Sequence, residues 1–467
     1  MAAKDTIILD ENRPQDRRVA LATLVGTTVE WYDFFIYAQA AAIILPALFF
    51  DHLVENWAAG GQILAFASVG ASFFFRPLGA AVAGHFGDRV GRKGMLVATL
   101  MLMGVATFLI GCMPTYAQIG VAAPLLLLVL RFAQGFAAGG EWGGAALMAV
   151  EHAPPNKRGW FGGFPQIGVP TGMLIALLVM TTVDMFTTEE QFVSWGWRVP
   201  FLLSVVLIVT GMLIRLGVAE SPIMEKIAQQ EEQVRLPIID MFRTAWKPLI
   251  LGALVFAGNI TCGYMITGGY LLNYTTKDLG MDRGPILQMV SLAAAVWIFT
   301  TLASAKLSDT WTRTRVFKVG FVLQLIWIVP LFLITDMKNI PMFAIAVILL
   351  TIPLGMTYGP QSALFAEIFP AKIRYSGAGL AYAFGSILGG FTPMIARSLQ
   401  DATGNSMSVA GYLLVITTIA LIATFMIKDR TGQDISAEAD AEINRKIAEV
   451  AASRKATEIH FDRGVGY

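Results

Sequence analysis

Twelve runs of about twenty apolar residues divide this chain, and each is long enough to cross a hydrocarbon core of roughly 30 Å as a helix. They fall near 18–49, 62–86, 94–113, 121–149, 159–183, 197–218, 246–272, 284–307, 316–335, 341–366, 374–400 and 408–428. In lipid every backbone amide must be bonded inside the spanning structure, and segments of this length meet that demand as helices. Only 14% of the 467 residues are charged and 55% are hydrophobic, against about 25% charged in an ordinary soluble domain. The expectation is an all-α polytopic membrane protein.

The basic residues set an orientation. Arg76 and Arg131 fall within spans, and Arg198, Lys277, Arg283, Lys338 and Arg397 fall on one side; the rest of the 34 lysines and arginines fall on the other. Such an excess marks the cytoplasmic side, which predicts a multi-pass protein of the cell inner membrane with both termini in the cytoplasm. The first apolar run is too long for a signal-peptide core and lies behind a polar start, so it reads as a retained helix.

Residues 219–245 form the one long polar stretch between spans and divide them six and six. The organisation expected is a cytoplasmic segment 1–17, a six-helix bundle 18–218, a cytoplasmic linker 219–245, a second bundle 246–429 and a cytoplasmic tail 430–467. In the tail, Ile443, Ile447 and Val450 stand at helical spacing, which suits either an amphipathic helix or a solvated tail.

Cys112 and Cys262 have no metal-type spacing, so neither a disulfide nor a metal site is expected. No phosphate loop occurs, and His52, His85, His152 and His460 lie near or beyond span ends. No enzyme chemistry, cofactor or nucleic-acid partner is expected.

The chain repeats itself. Asp88 stands four residues before Arg92 and Asp309 four before Arg313; Glu151 stands seven before Arg158 and Glu367 seven before Arg374. The same order twice marks an internal duplication, and duplicated membrane halves are the ground plan of a transporter. Gly135, Gly139 and Gly143, Gly168 and Gly172, and Gly385 and Gly389 are spaced four apart, which lets helix backbones approach closely in lipid.

Several strings carry a resemblance. The segment Gly84 to Lys93 (GHFGDRVGRK) resembles the loop 2–3 signature of the major facilitator superfamily. Glu30-Trp31-Tyr32-Asp33-Phe34, Phe75-Arg76-Pro77-Leu78-Gly79 and Arg131 to Gly144 look like the metabolite:proton symporter family, as do Gly196 to Phe201, Glu220-Ser221-Pro222 and Arg374 to Gly377. Members of that family carry 2-oxoglutarate, shikimate, citrate, or proline and betaine. The likeness covers roughly residues 18–430. It implies the major facilitator fold, twelve transmembrane helices in two pseudo-symmetric six-helix bundles around a central cavity, and no enzyme activity. Where that pattern favours glycine, the second loop has Ala305 and Thr312, so this loop is expected to contribute less to gating.

An ionisable side chain within a span is costly and usually functional. Glu30, Asp33 and Tyr37 share one face of the first span, and Arg131, Gln134 and Trp142 one face of the fourth. Because the resemblance places both spans at the cavity, Asp33 is the expected proton carrier and Arg131 its partner. Glu30 competes for the proton, and a permanent ion pair that only fixes packing is the structural alternative. Glu141 suits either a second protonation site or a carboxylate held by local donors. Arg76 suits either a carboxylate-binding cation or a partner of Glu30 or Asp33. The candidates for the substrate site are Arg76, Arg131, Tyr32, Tyr37, Gln134, Trp142, Asn259, Tyr264, Tyr358, Gln361 and Tyr382.

The resemblance makes Asp88 the cap of the eleventh helix. The cytoplasmic gate would then comprise Asp88, Arg92, Glu151, Arg158, Asp309, Arg313, Glu367 and Arg374. The function expected is proton-coupled import of a small organic anion by a monomer in the lipid bilayer. A zwitterionic osmolyte such as proline or betaine is the alternative cargo.

Overall fold

The structure is a computed structural model that describes residues 14–216 and 245–435, apart from 55, 56, 58, 91, 152, 268, 371 and 372. The side chains of residues 14–18, 84–93, 95, 96, 214–216 and 264–267 also lie outside the described part. The expected linker, but for its last residue, and Ile443, Ile447 and Val450 therefore lie outside the described residues. So do the side chains of Asp88, Arg92 and Tyr264.

The first six spans are α1 (Pro14–Ile43), α2 (Gly60–Phe74 continued by Arg76–Val90), α3 (Arg92–Cys112), α4 (Ala122–Gly139 and Trp142–Glu151), α5 (Arg158–Phe186) and α6 (Val199–Leu216). The second six are α7 (Trp246–Thr267, with a further turn Tyr270–Asn273), α8 (Arg283–Trp311), α9 (Arg313–Asp336), α10 (Ile340–Tyr358 and Gln361–Ile368), α11 (Arg374–Thr403) and α12 (Met407–Met426). Among the described residues eleven of these are long and apolar enough to cross a membrane, and α3 contributes the shorter apolar stretch Val97–Cys112. The end at which α1 begins is called proximal below, and the other end distal.

Among the spans expected to be continuous that are interrupted, three break for a clear local reason. In α2 the break falls at Phe75, where Pro77 lacks an N–H and crowds the preceding turn. In α4 Gly140 and Glu141 donate to carbonyls three residues back, which tightens the turn before Trp142. In α10 the break is Gly359-Pro360.

The packing follows the duplication. Within the halves α1 lies along α5 and its counterpart α7 along α11, while α3 packs on α6 and α9 on α12. Between the halves α2 lies against α11 and α8 against α5, a pairing that a two-fold relation requires. The α2–α11 seam interlocks: a Cβ on Gly70 would overlap the ring of Phe391, and one on Gly390 the ring of Phe73. The glycine stripes serve the close approach expected of them, since a Cβ on Gly139 would overlap the carbonyl of Arg76.

Candidate functional site

Between the halves a cavity is lined by Trp31 and Phe35 of α1, Val169 of α5, Phe256, Asn259, Ile260 and Gly263 of α7, Trp297 of α8 and Tyr358 of α10. Arg76 lies beside it at the break in α2. Its guanidinium carbon sits 4.1, 4.5 and 5.2 Å from the ring centroids of Phe73, Phe34 and Trp31. Its side chain is 0% exposed and stands 3.8 Å from Glu30 Oε1. Among the described residues none of its three nitrogens finds a hydrogen-bond partner. A buried guanidinium normally has several such bonds, so this one has donors to spare for a ligand. Tyr358, on the cavity wall, lies within electrostatic reach of both Glu30 and Arg76.

Arg131 is differently held. It donates to Ser72 Oγ (2.7 Å), Gln134 Oε1 (2.7 Å) and the carbonyls of Ser68 and Val69 (both 3.3 Å), and lies 3.9 Å over the Tyr37 ring. Gln134 passes the chain to Thr107 at 2.7 Å, and Tyr37 bonds Ser68 at 2.6 Å. Asp33 is buried beside Thr107, in reach of the charges of Arg131 and Glu141. These groups form one polar cluster among α1, α2, α3 and α4.

Arg131 and three other expected substrate ligands, Tyr32, Tyr37 and Gln134, are therefore engaged away from the cavity lining. Tyr37 and Gln134 are committed to the Arg131 cluster. Tyr32 turns to the far side of α1, where its hydroxyl donates to the carbonyl of Pro200 at 2.7 Å. Position along α1 explains the difference: at 1.5 Å per residue Tyr37 stands about 10 Å further along the shared face than Glu30, so Glu30 meets Arg76 while Asp33 and Tyr37 lie with the Arg131 cluster. Asn259 lines the cavity and donates to Thr357 Oγ1 (2.7 Å) and the carbonyl of Leu354 (3.2 Å). Trp142 stacks on Tyr382 with centroids 3.9 Å apart and planes at 7°. Gln361 is buried with neither amide atom bonded. The aromatic walls Trp31, Phe35, Phe256 and Trp297 escaped the sequence reading, although Trp31 and Phe35 stand four apart on one face of α1.

At the proximal end the duplicated pairs exchange partners across the halves. Glu151 lies 3.8 Å from Arg374 and Glu367 lies 3.9 Å from Arg158, while Glu367 also meets Arg313 at 3.3 Å. Asp309 accepts from the first amides of α5, Gly159 (2.7 Å) and Trp160 (2.9 Å), and pairs with Arg313 at 2.7 Å. A carboxylate at a helix N-terminus satisfies unpaired amides and the helix dipole. The second loop thus carries a cap for α5. Its glycine-poor composition is absorbed in two ways: Ala305 packs its Cβ against Gly163, and Thr312 adopts φ 86° and ψ 152°.

A strap unforeseen in the sequence covers this end. Beyond α12, Asp429 accepts from Thr314 (3.1 Å from N, 2.6 Å from Oγ1), Gln433 offers its carbonyl to Arg158 (2.6 Å) and Ile435 its carbonyl to Arg374 (2.7 Å). Partial burial alone would raise the Asp429 carboxyl, but hydrogen bonds from Thr314 and Thr431 prevail and hold it down at about 2. The distal end is closed as well. Asn273 donates to Gln62 Oε1 (3.0 Å) and the carbonyl of Ala42 (3.1 Å), and Arg283 pairs with Asp184 and Glu189.

Comparison with known proteins places this geometry. Residues 34–393 match the model of the Major Facilitator Superfamily. The Shikimate transporter of Escherichia coli K12 is 40% identical over 88% of this chain and 94% of its own length. The inner membrane metabolite transport protein YhjE of the same organism is 38% identical over 90% and 95%. Among solved structures, the proton:xylose symporter XylE superposes with a TM-score of 0.71 over 91% of this chain and 98% of that one, at 16% identity.

Proposed function

This chain belongs to the major facilitator superfamily, and from that premise we propose that it imports a small organic carboxylate in symport with protons. One observation carries the reading: a wholly buried guanidinium without hydrogen bonds among the described residues, 3.8 Å from a buried glutamate and beside a cavity shared by both halves. A guanidinium matches a carboxylate with two parallel bonds. As the substrate takes Arg76, the buried Glu30 loses that counter-charge, and a proton neutralises it. Substrate and proton then load together, and both leave when the proximal end opens.

This moves the substrate-exchange role from Asp33 and Arg131 to Glu30 and Arg76. Arg131 is pinned by four hydrogen bonds, and letting go of them would strand polar groups of α2. Asp33, close to Glu141, is the candidate for a second proton. The reading places the protein in the cell inner membrane with its proximal end, termini and linker in the cytoplasm, as the basic residues require.

The rings of Trp31, Phe35, Phe256, Trp297 and Tyr358 around the cavity support a second cargo, since an aromatic cage suits a quaternary ammonium. The test is uptake of shikimate, an aromatic acid, 2-oxoglutarate, citrate and betaine into proteoliposomes, with and without an inward proton gradient. Gradient-driven accumulation of one acid is expected. Accumulation of betaine alone selects the osmolyte reading, and gradient-independent equilibration refutes the coupling.

A further inference from the structure

The breaks in α4 and α10 meet where the halves meet. Trp142 begins the second part of α4 and Tyr358 ends the first part of α10. Each stands nine residues before its half's glutamate, Glu151 or Glu367; Gln166 and Tyr382 each stand eight after its half's arginine, Arg158 or Arg374. Four repeat-equivalent positions thus gather in one cluster. Trp142 donates to Gln166 Oε1 at 3.3 Å and stacks on Tyr382, while Gln166 Nε2 donates across the halves to the carbonyl of Tyr358 at 3.0 Å. Carbonyls at the end of a helical part lack partners within it, and Gln166, 0% exposed, supplies one from the other half.

The cluster separates the cavity, which Tyr358 lines, from the proximal pair of Arg158 and Glu367. Next along α10 come Gln361 and Ser362, both buried with polar side-chain atoms that make no hydrogen bond. Such atoms require an explanation, and a route that fills with water when the proximal end opens provides it.

We infer that Gln166 is a positioning residue, the centre of a latch that holds the α10 break against α4 while the proximal end is shut and lets go when it opens. The inference rests on the proposed import cycle, in which the proximal end opens to release the substrate, and its test needs no substrate. Reporter cysteines replace Ser362 on the proximal side or Ala42, which faces Asn273 across the distal seam, in a Cys112→Ser, Cys262→Ser background. N-ethylmaleimide labelling rates are measured in membranes.

Gln166→Leu removes two hydrogen bonds, so it is expected to speed labelling at S362C about tenfold and to slow it at A42C. Trp142→Phe keeps the ring but not the donor and is expected to shift both rates the same way by less. The double variant should match Gln166→Leu alone, because both act on one bond. Faster labelling at both positions, the signature of a loosened fold, overturns the inference, and so do unchanged rates. Shikimate exchange without gradient-driven accumulation in the wild type would refute symport and leave the latch standing.

Discussion

Replacing Glu30 with glutamine separates the proton from the substrate in one measurement. Glu30 and Arg76 are both buried and 3.8 Å apart. At an effective dielectric near 20, unit charges at that distance attract by about 4 kcal/mol. An incoming carboxylate must displace that attraction unless Glu30 is protonated, so wild-type affinity is expected to be highest at low pH and to fall as pH rises and the proton leaves. Glu30→Gln removes the competitor at every pH. Its affinity should stay at the low-pH level, which at pH 8 means binding tighter than wild type by at least about tenfold and at most about a thousandfold, at 1.4 kcal/mol per factor of ten. The assay is calorimetric titration of purified protein with shikimate, or the acid the uptake panel selects, from pH 5.5 to 8. Gradient-driven accumulation should be lost while exchange remains. A variant that loses affinity with pH in parallel with wild type refutes the argument. If Asp33→Asn gives the flat profile instead, the proton belongs to Asp33.

Three further outcomes are expected. Asp309→Asn keeps one acceptor oxygen for the α5 amides but loses the charge that faces the helix dipole and Arg313; a loss of about 1–3 kcal/mol should speed labelling of S362C by roughly 5- to 150-fold, and an unchanged rate would show that the cap does not hold the gate. Thr312→Gly relieves a backbone conformation that is nearly glycine-only and costs about 1–3 kcal/mol. The thermal midpoint in detergent should rise by about 2 °C or more, and a fall would mean that the threonine hydroxyl outweighs the strain. Gly139→Ala drives a methyl into the carbonyl of Arg76 and should cost about 1–3 kcal/mol in overpacking, whereas Gly411→Ala, with open space around it, should leave size-exclusion profile and midpoint unchanged.

What the sequence made legible was whatever has a period or a repeat. The twelve spans follow from apolar run length, and the glycine stripes at Gly135 and Gly139 became the α2–α4 contact as spacing required. The repeat named Glu151, Arg158, Glu367 and Arg374, but it could not say that each glutamate pairs with the other half's arginine. That exchange is a property of the two-fold axis, which no local window contains. For Arg76 a pairing with Glu30 or Asp33 is one of two readings, but which carboxylate it meets depends on the rotation of α1 about its own axis, and an error of one residue in phase moves a side chain by about 100°. Gln166 gave no signal at all. A lone glutamine in an apolar run reads as incidental until Trp142 and Tyr358 are seen on either side of it.

The two seals around the cavity differ in kind, and the difference bears on how the transporter moves. The distal seal is mostly an amide bridge, Asn273 to Gln62 and Ala42, with Arg283 partly exposed at its rim. Each of its bonds exchanges readily for a bond to water, so opening costs about 1 kcal/mol per bond. The proximal seal buries whole charges: Arg158, Arg313, Glu367 and Arg374 are all nearly inaccessible. Those charges lost much of their hydration when the seal formed, and the return of that hydration offsets much of the attraction given up on opening. A seal built from desolvated pairs is therefore strong in its contacts yet close to balance in free energy. Small increments decide its position, and the latch at Gln166 and the strap from Asp429 to Ile435 are increments of that size. Neutralising the pair of Glu30 and Arg76 with a proton and a carboxylate is another, and it acts beside the cavity that lies between the two halves.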